Sequence, residues 1–268
     1  MPVAGNSPSS STRLPLPPPV TEADFRQILG IRFYVGQPPG LMELTKQGGL
    51  IAVPSAPVLT HLTRDEAHRV AVEGCDFAIT DSGFMVLLWQ LFKGDRLVRI
   101  SGLRFLQALL ALPEFRAPGT TFWVMPTRED SAANIAWLAS QNIEIADDHV
   151  YLAPKYSASG ALRDEALLAL IEKTKPTFVI LCLGGGVQER LGYFLRGNLT
   201  LRPAIVCTGA AIAFLSGQQA SIPTWADRLF LGWLIRLLRD PARFLPRYRH
   251  ALHLPRLLLK FGGRSVAD

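Results

Sequence analysis

The chain has 268 residues, 49% of them hydrophobic and 19% charged. That is enough apolar material for one large α/β core or two small ones, and it excludes disorder over most of the length. The formal net charge is +6, and it is uneven: Trp225 to Arg264 holds nine Lys/Arg against Asp227 and Asp240, a net of +7, which leaves the rest of the chain near neutral.

Residues 1–20 are rich in Pro and Ser, with Pro17, Pro18 and Pro19 in a row, and are expected to form an extended, flexible lead-in. No apolar stretch with the length of a secretory signal follows Met1, and no run of about 18 uncharged apolar residues occurs, so a spanning helix is not expected. The three cysteines, Cys75, Cys182 and Cys207, are odd in number and widely spaced, which points to free thiols in a reducing compartment.

From residue 21 to 222 short apolar runs alternate with helical spacing. Strands are expected at Leu50–Val53, Phe77–Thr80, Thr121–Met125, Ile143–Ala146, Thr177–Cys182 and Ala204–Cys207. Helices are expected at Arg64–Glu73, Phe84–Phe92, Leu103–Ala111, Ser131–Gln141 and Leu162–Lys173. The strands read as continuous apolar runs, as a parallel sheet covered on both faces requires. The repeated order gives an α/β domain, a mostly parallel sheet with helices on both faces. Ligands of such sheets bind beyond the carboxyl ends of the strands, so the residues after each strand are the ones to read for chemistry.

After the second of these strands comes Thr80-Asp81-Ser82-Gly83. Asp81 reads either as a helix cap or as a general base facing the crevice. After the fifth comes Gly184-Gly185-Gly186-Val187-Gln188-Glu189, where glycines let the backbone approach a ligand and a following helix aims amides at a phosphate. It lacks the Lys-Ser/Thr of a Walker loop and is not a convincing dinucleotide fingerprint. Ser55, after the first strand, offers a hydroxyl, and Arg99 offers a cation near the crevice. Asp147-Asp148-His149 reads as a polar loop after an edge strand, and the histidines show no ligand spacing, so no metal is expected.

Residues 223–268 alternate basic residues with Leu, Phe and Trp, and Pro241, Pro246 and Pro255 are expected to split them into short helices. This basic amphipathic pattern suits the surface of an anionic bilayer; the alternative is a helix packed on its own domain with its arginines solvated. No nucleic-acid motif accompanies the charge.

Taken in order, six segments resemble the WecG/TagA/CpsF family, glycosyltransferase family 26: ILGIRFYVG, IAVPSAP, AITDSGFMVLLWQL, RISGLRFL, LCLGGGVQERL, and the tail from CTGAAIAF to LPRYR. The resemblance covers about Ile28 to Tyr248. It implies a Rossmann-like fold with a helical C-terminal appendage at the membrane, and a cytoplasmic, inner-face location. It also implies inverting, metal-independent transfer from a UDP-sugar to a lipid-pyrophosphate-linked saccharide, without a cofactor. On it, Asp81 is the base; Ser55, Gly83, Gly184, Gly185, Gln188 and Glu189 lie with the donor. Arg99, Arg236, Arg243 and Arg247 lie with the phosphates. Val53, Ser55, Arg104, Gly186, Val187, Ser221 and Gly232 depart from the family's polar pattern. That leaves two readings, a divergent enzyme or an impaired member that binds nucleotide-sugar or lipid as an assembly subunit.

Overall fold

A computed structural model describes residues 19–218, 237–238 and 241–268. The domain is α/β and Rossmann-like. Among the described residues it has one eight-stranded sheet, ordered β1-β2-β4-β3-β8-β7-β5-β6, parallel except for β1 against β2. The segment ILGIRFYVG, resembling one opening strand, falls in a hairpin. β1 (Phe25–Ile28) and β2 (Ile31–Tyr34) are joined by Leu29 and Gly30, both at positive φ, 52° and 77°. That two-residue turn matches the strands' right-handed twist. The far end of the chain clasps it: the Leu29 amide donates to the Gly262 carbonyl and that of Gly30 to Gly263.

α1 (Pro38–Lys46) leads to β3 (Gly49–Ala52), then α2 (Ala56–Thr60), α3 (Glu66–Glu73), β4 (Phe77–Ile79), α4 (Gly83–Lys93), α5 (Gly102–Leu110) and α6 (Pro113–Arg116). β5 (Thr121–Met125), α7 (Arg128–Ser140), β6 (Val150–Leu152), α8 (Glu165–Thr174), β7 (Phe178–Leu181), α9 (Val187–Asn198), β8 (Ala204–Val206) and α10 (Ala211–Leu215) follow. The expected elements are found within a few residues, with one exception. Ile143–Ala146 is no strand; the edge strand is Val150–Leu152, parallel to β5. Asn142 adopts φ 58° after α7, and the Ile143 amide donates back to Leu138 while that of Asn142 donates to Ala139. The helix's closing turn thus takes the amide a strand would have used. Asp147–His149 accordingly forms a 3₁₀ turn before the edge strand, not a loop after one.

Side chains alternate across the sheet into two cores. One holds Phe33, Leu50, Ala78, Val124, Val179 and Ile205 under α3, α4, α8 and α9. The other holds Ile51, Phe77, Trp123, Phe178 and Val206 under α5, α7 and α10. Two more helices, α11 (Pro241–Ala251) and α12 (Leu254–Phe261), end the chain. Pro241 and Pro255 open helices, whereas Pro246 lies within one. α11 packs on α2 and α12 on α4, and Ala251, Leu254, Leu258 and Phe261 join the first core. Among the described residues no helix is long and apolar enough to cross a membrane.

Candidate functional site

The carboxyl ends of β4, β3, β8 and β7 lie side by side and form one edge of the sheet. After β4, Thr80 is buried; its hydroxyl donates to the Val98 carbonyl at 2.5 Å and accepts from the Ile100 amide at 3.2 Å. These bonds tie the irregular segment 98–100 to the strand end. Ser82 caps α4, its Oγ accepting from the Met85 amide at 3.2 Å. The Asp81 carboxylate turns elsewhere: Oδ1 accepts from the Gly102 amide at 2.8 Å, at the first residue of α5. A half-buried carboxylate there stands at the positive end of that helix. Arg99 donates from Nε to the Asp81 carbonyl at 2.9 Å, which places its guanidinium beside the same turn. Gly102 lets this happen, because a Cβ there would lie 2.8 Å from Val53 Cγ1.

Three strands away, at β7, the turn Gly184-Gly185-Gly186 leads into α9 with Gly184 and Gly185 exposed. A Cβ on Gly185 would come within 2.5 Å of Val58 Cγ2, and Gly186 has φ 92°, so both positions require glycine. Glu189 is buried and its Oε2 accepts from the Gly186 amide. The protein's own carboxylate therefore occupies the first turn of α9, while the Gly184–Gly185 backbone stays exposed. Gln188 is also buried. Its Oε1 accepts from the Gly209 amide at 2.8 Å, and its Nε2 donates to the Cys207 carbonyl at 3.1 Å and to Glu189 at 3.0 Å. Gln188 thus locks the β7 turn to the end of β8.

Asp81 and the glycine turn lie at the same end of the sheet, separated by three strand spacings, about 14 Å. Ser55, half-buried, stands between them at the start of α2, with no cap bond from its side chain. Gly83 is the first residue of α4. Arg243 and Arg247 lie on α11, and the direction of their side chains is outside the described residues, as is Arg236 altogether.

Sequence reasoning passed over Arg190. It is buried, and its guanidinium donates to the carbonyls of Gly186, Gly160, Ser157 and Ala158, which pins the 157–160 loop to the glycine turn. Burial pulls its pKa down, with Asp65 and Glu189 acting the other way. The only available signal was an arginine directly after a Gln-Glu pair in a helix's first turn. Burial pushes the thiols of Cys75 and Cys182 up to about 12, so both are inert small hydrophobes here. His149 pairs with Asp148 at 2.9 Å and reaches the Gly119 carbonyl at 3.2 Å. Among the described residues no group of three or more His, Cys, Asp or Glu could hold a metal ion.

Residues 26–266 match the model of the glycosyl transferase WecG/TagA/CpsF family. A Bacillus subtilis (strain 168) protein, N-acetylglucosaminyldiphosphoundecaprenol N-acetyl-beta-D-mannosaminyltransferase, is 24% identical over 213 residues. The match covers 76% of this chain and 78% of that protein.

Proposed function

Because the chain belongs to the glycosyl transferase WecG/TagA/CpsF family, we propose that it moves a sugar from a UDP-sugar onto a lipid-pyrophosphate-linked saccharide, with inversion, in bacterial cell-surface or exopolysaccharide synthesis. The observation that carries this reading is the Asp81 carboxylate, held beyond the carboxyl end of β4 by the Gly102 amide, at the same end of the sheet as the glycine turn. In the step, a carboxylate oxygen of Asp81 takes the proton of the acceptor hydroxyl. The freed lone pair attacks C1 of the donor sugar as the C1–O bond breaks on the opposite face, and UDP leaves with that electron pair. One displacement from the far face inverts C1.

The donor diphosphate fits the exposed Gly184–Gly185 backbone, and Arg99, with Arg236, Arg243 and Arg247 of the tail, supplies positive charge to the leaving group without a metal or other cofactor. On this reading Ser55 and Gly83, at the starts of α2 and α4, border the donor sugar. Gln188 and Glu189 act through the backbone they hold, Gln188 on Gly209 and Glu189 on Gly186, and are positioning residues. The acceptor's lipid places the protein at the inner face of the cytoplasmic membrane, with anionic lipid rather than nucleic acid as its basic tail's partner.

A second reading, an impaired member that binds nucleotide-sugar or lipid as an assembly subunit, draws on the inward engagement of Gln188 and Glu189 and on Val53 and Ser55 at the first strand end. The test is incubation of purified protein with a panel of UDP-sugars and a lipid-diphosphate-linked GlcNAc acceptor, with product mass, anomeric configuration and melting temperature read together. Transfer with inverted configuration is the expected result. A UDP-sugar that raises the melting temperature by several degrees without product would select the second reading, and neither shift nor product would contradict both.

A further inference from the structure

The helix that leaves Asp81 has an outer face at odds with water. α4 builds its inner face from Met85, Val86 and Trp89. The opposite face of a water-facing helix is polar. Here it carries Phe84, Leu87 and Leu91, exposed at 37%, 50% and 76%, and the helix has no charged residue before Lys93. At helical spacing these three share one side and run about 10 Å away from the crevice.

α12 packs beside α4 and repeats the pattern: Leu252 just before it and Leu259 within it are exposed at 70% and 63%, among exposed Arg256 and Lys260. The carboxyl ends of the two helices meet, since a Cβ on Gly262 would lie 3.4 Å from Lys93 Nζ. Lys93, Lys260 and Arg264 are all exposed around that junction. The acids nearby are engaged: Asp95 pairs with Arg26 at 2.8 Å, and Glu73 accepts from Ser265 at 2.6 Å.

We propose that the outer face of α4, with α12 beside it, docks on an anionic lipid bilayer. Leucines that enter the interface beside cations that meet lipid headgroups are the combination such a surface recognises. A second copy of the chain on a two-fold axis would bring this basic rim against itself. The inference rests on the reading of the acceptor as lipid-linked, and it adds an orientation. With α4 against the lipid, the Asp81 end of the helix stands within one helix length of the layer in which the acceptor's diphosphate lies.

The three native cysteines are buried, so one cysteine introduced as Leu87→Cys in the full chain takes an environment-sensitive fluorophore selectively. Asp147→Cys, beside the edge strand β6 at the other end of the sheet, serves as the remote control. Vesicles of phosphatidylglycerol and phosphatidylcholine should raise and blue-shift the emission at position 87 and leave position 147 unchanged, and brominated lipid should quench position 87 alone. Leu87→Gln/Leu91→Gln should weaken partition to these vesicles about 10-fold with an unchanged melting temperature. A silent probe at 87 on vesicles that bind the protein, or a protein that ignores them, would overturn the docking. So would a probe shielded before lipid is added, which would mean that residues 219–236 or a second copy cover the face. Transfer to a water-soluble short-chain acceptor needs no bilayer: failure of the wild-type protein there would strike the functional reading and leave the docking result standing.

Discussion

Asp81 and Gln188 show how little a residue's type says about its work until its partners are known. Both were legible as residues beyond a strand's carboxyl end, because each follows an apolar strand. Their partners are hydrogen-bond partners that no spacing reveals: Asp81 accepts from the Gly102 amide, and the Gln188 amide is engaged with Gly209, Cys207 and Glu189. Gln188→Leu would leave the Gly209 amide and the Cys207 carbonyl without those partners. It should cost roughly 1–3 kcal/mol in urea unfolding and lower the transfer rate through the displaced turn. Wild-type stability in that variant would contradict the locking role. Arg190 was illegible for the same reason, since its four acceptors are backbone carbonyls and any sequence supplies those.

At the scale of elements, the parallel core was legible because burial on both faces forces continuous apolar runs, as at Thr121–Met125. The edge was not. Asn-Ile-Glu-Ile-Ala has the alternation of a strand, yet Ile143 is drawn into the core by the turn that closes α7, and Val150–Leu152 pairs with β5 instead. The signal was Asn142, a residue suited to positive φ. Asn142→Gly should therefore hold or raise the melting temperature, while Asn142→Val should lower stability by about 1 kcal/mol or more. Equal behaviour of the two variants would contradict the turn assignment. The last helices were legible as basic and apolar. The sequence offered both lipid and protein as cover for them, and the structure sets Leu254, Leu258 and Phe261 in the core while leaving Leu252 and Leu259 outside.

Across the whole molecule, an ion-pair cluster braces the end of the sheet opposite the one at which the proposed chemistry lies. At the amino ends of β3 and β4, Asp76 accepts from the Leu50 amide at 2.7 Å and pairs with Arg196 and Arg202, each at 2.7 Å. Burial pushes its carboxyl up, but the Arg196 and Leu50 hydrogen bonds and the two guanidinium charges outweigh it and hold the group below its usual value. A carboxylate with a depressed native pKa contributes stability above its unfolded value, about 3.9, and loses it as pH falls through the native one. Asp76→Asn should therefore cost roughly 2 kcal/mol at neutral pH, a cost that shrinks on acidification below pH 4, with the transfer rate per folded molecule intact. An Asp76→Asn variant with normal stability and impaired transfer would contradict that bracing role. At the carboxyl edge the test is the rate of sugar transfer against pH for the wild-type protein and for Asp81→Asn, whose Oδ1 still accepts from Gly102. The account predicts a wild-type rate that rises as a single carboxyl ionises, and a variant slower by roughly 10²–10⁴-fold with no such rise. An Asp81→Asn enzyme with the wild-type rate and profile would contradict it.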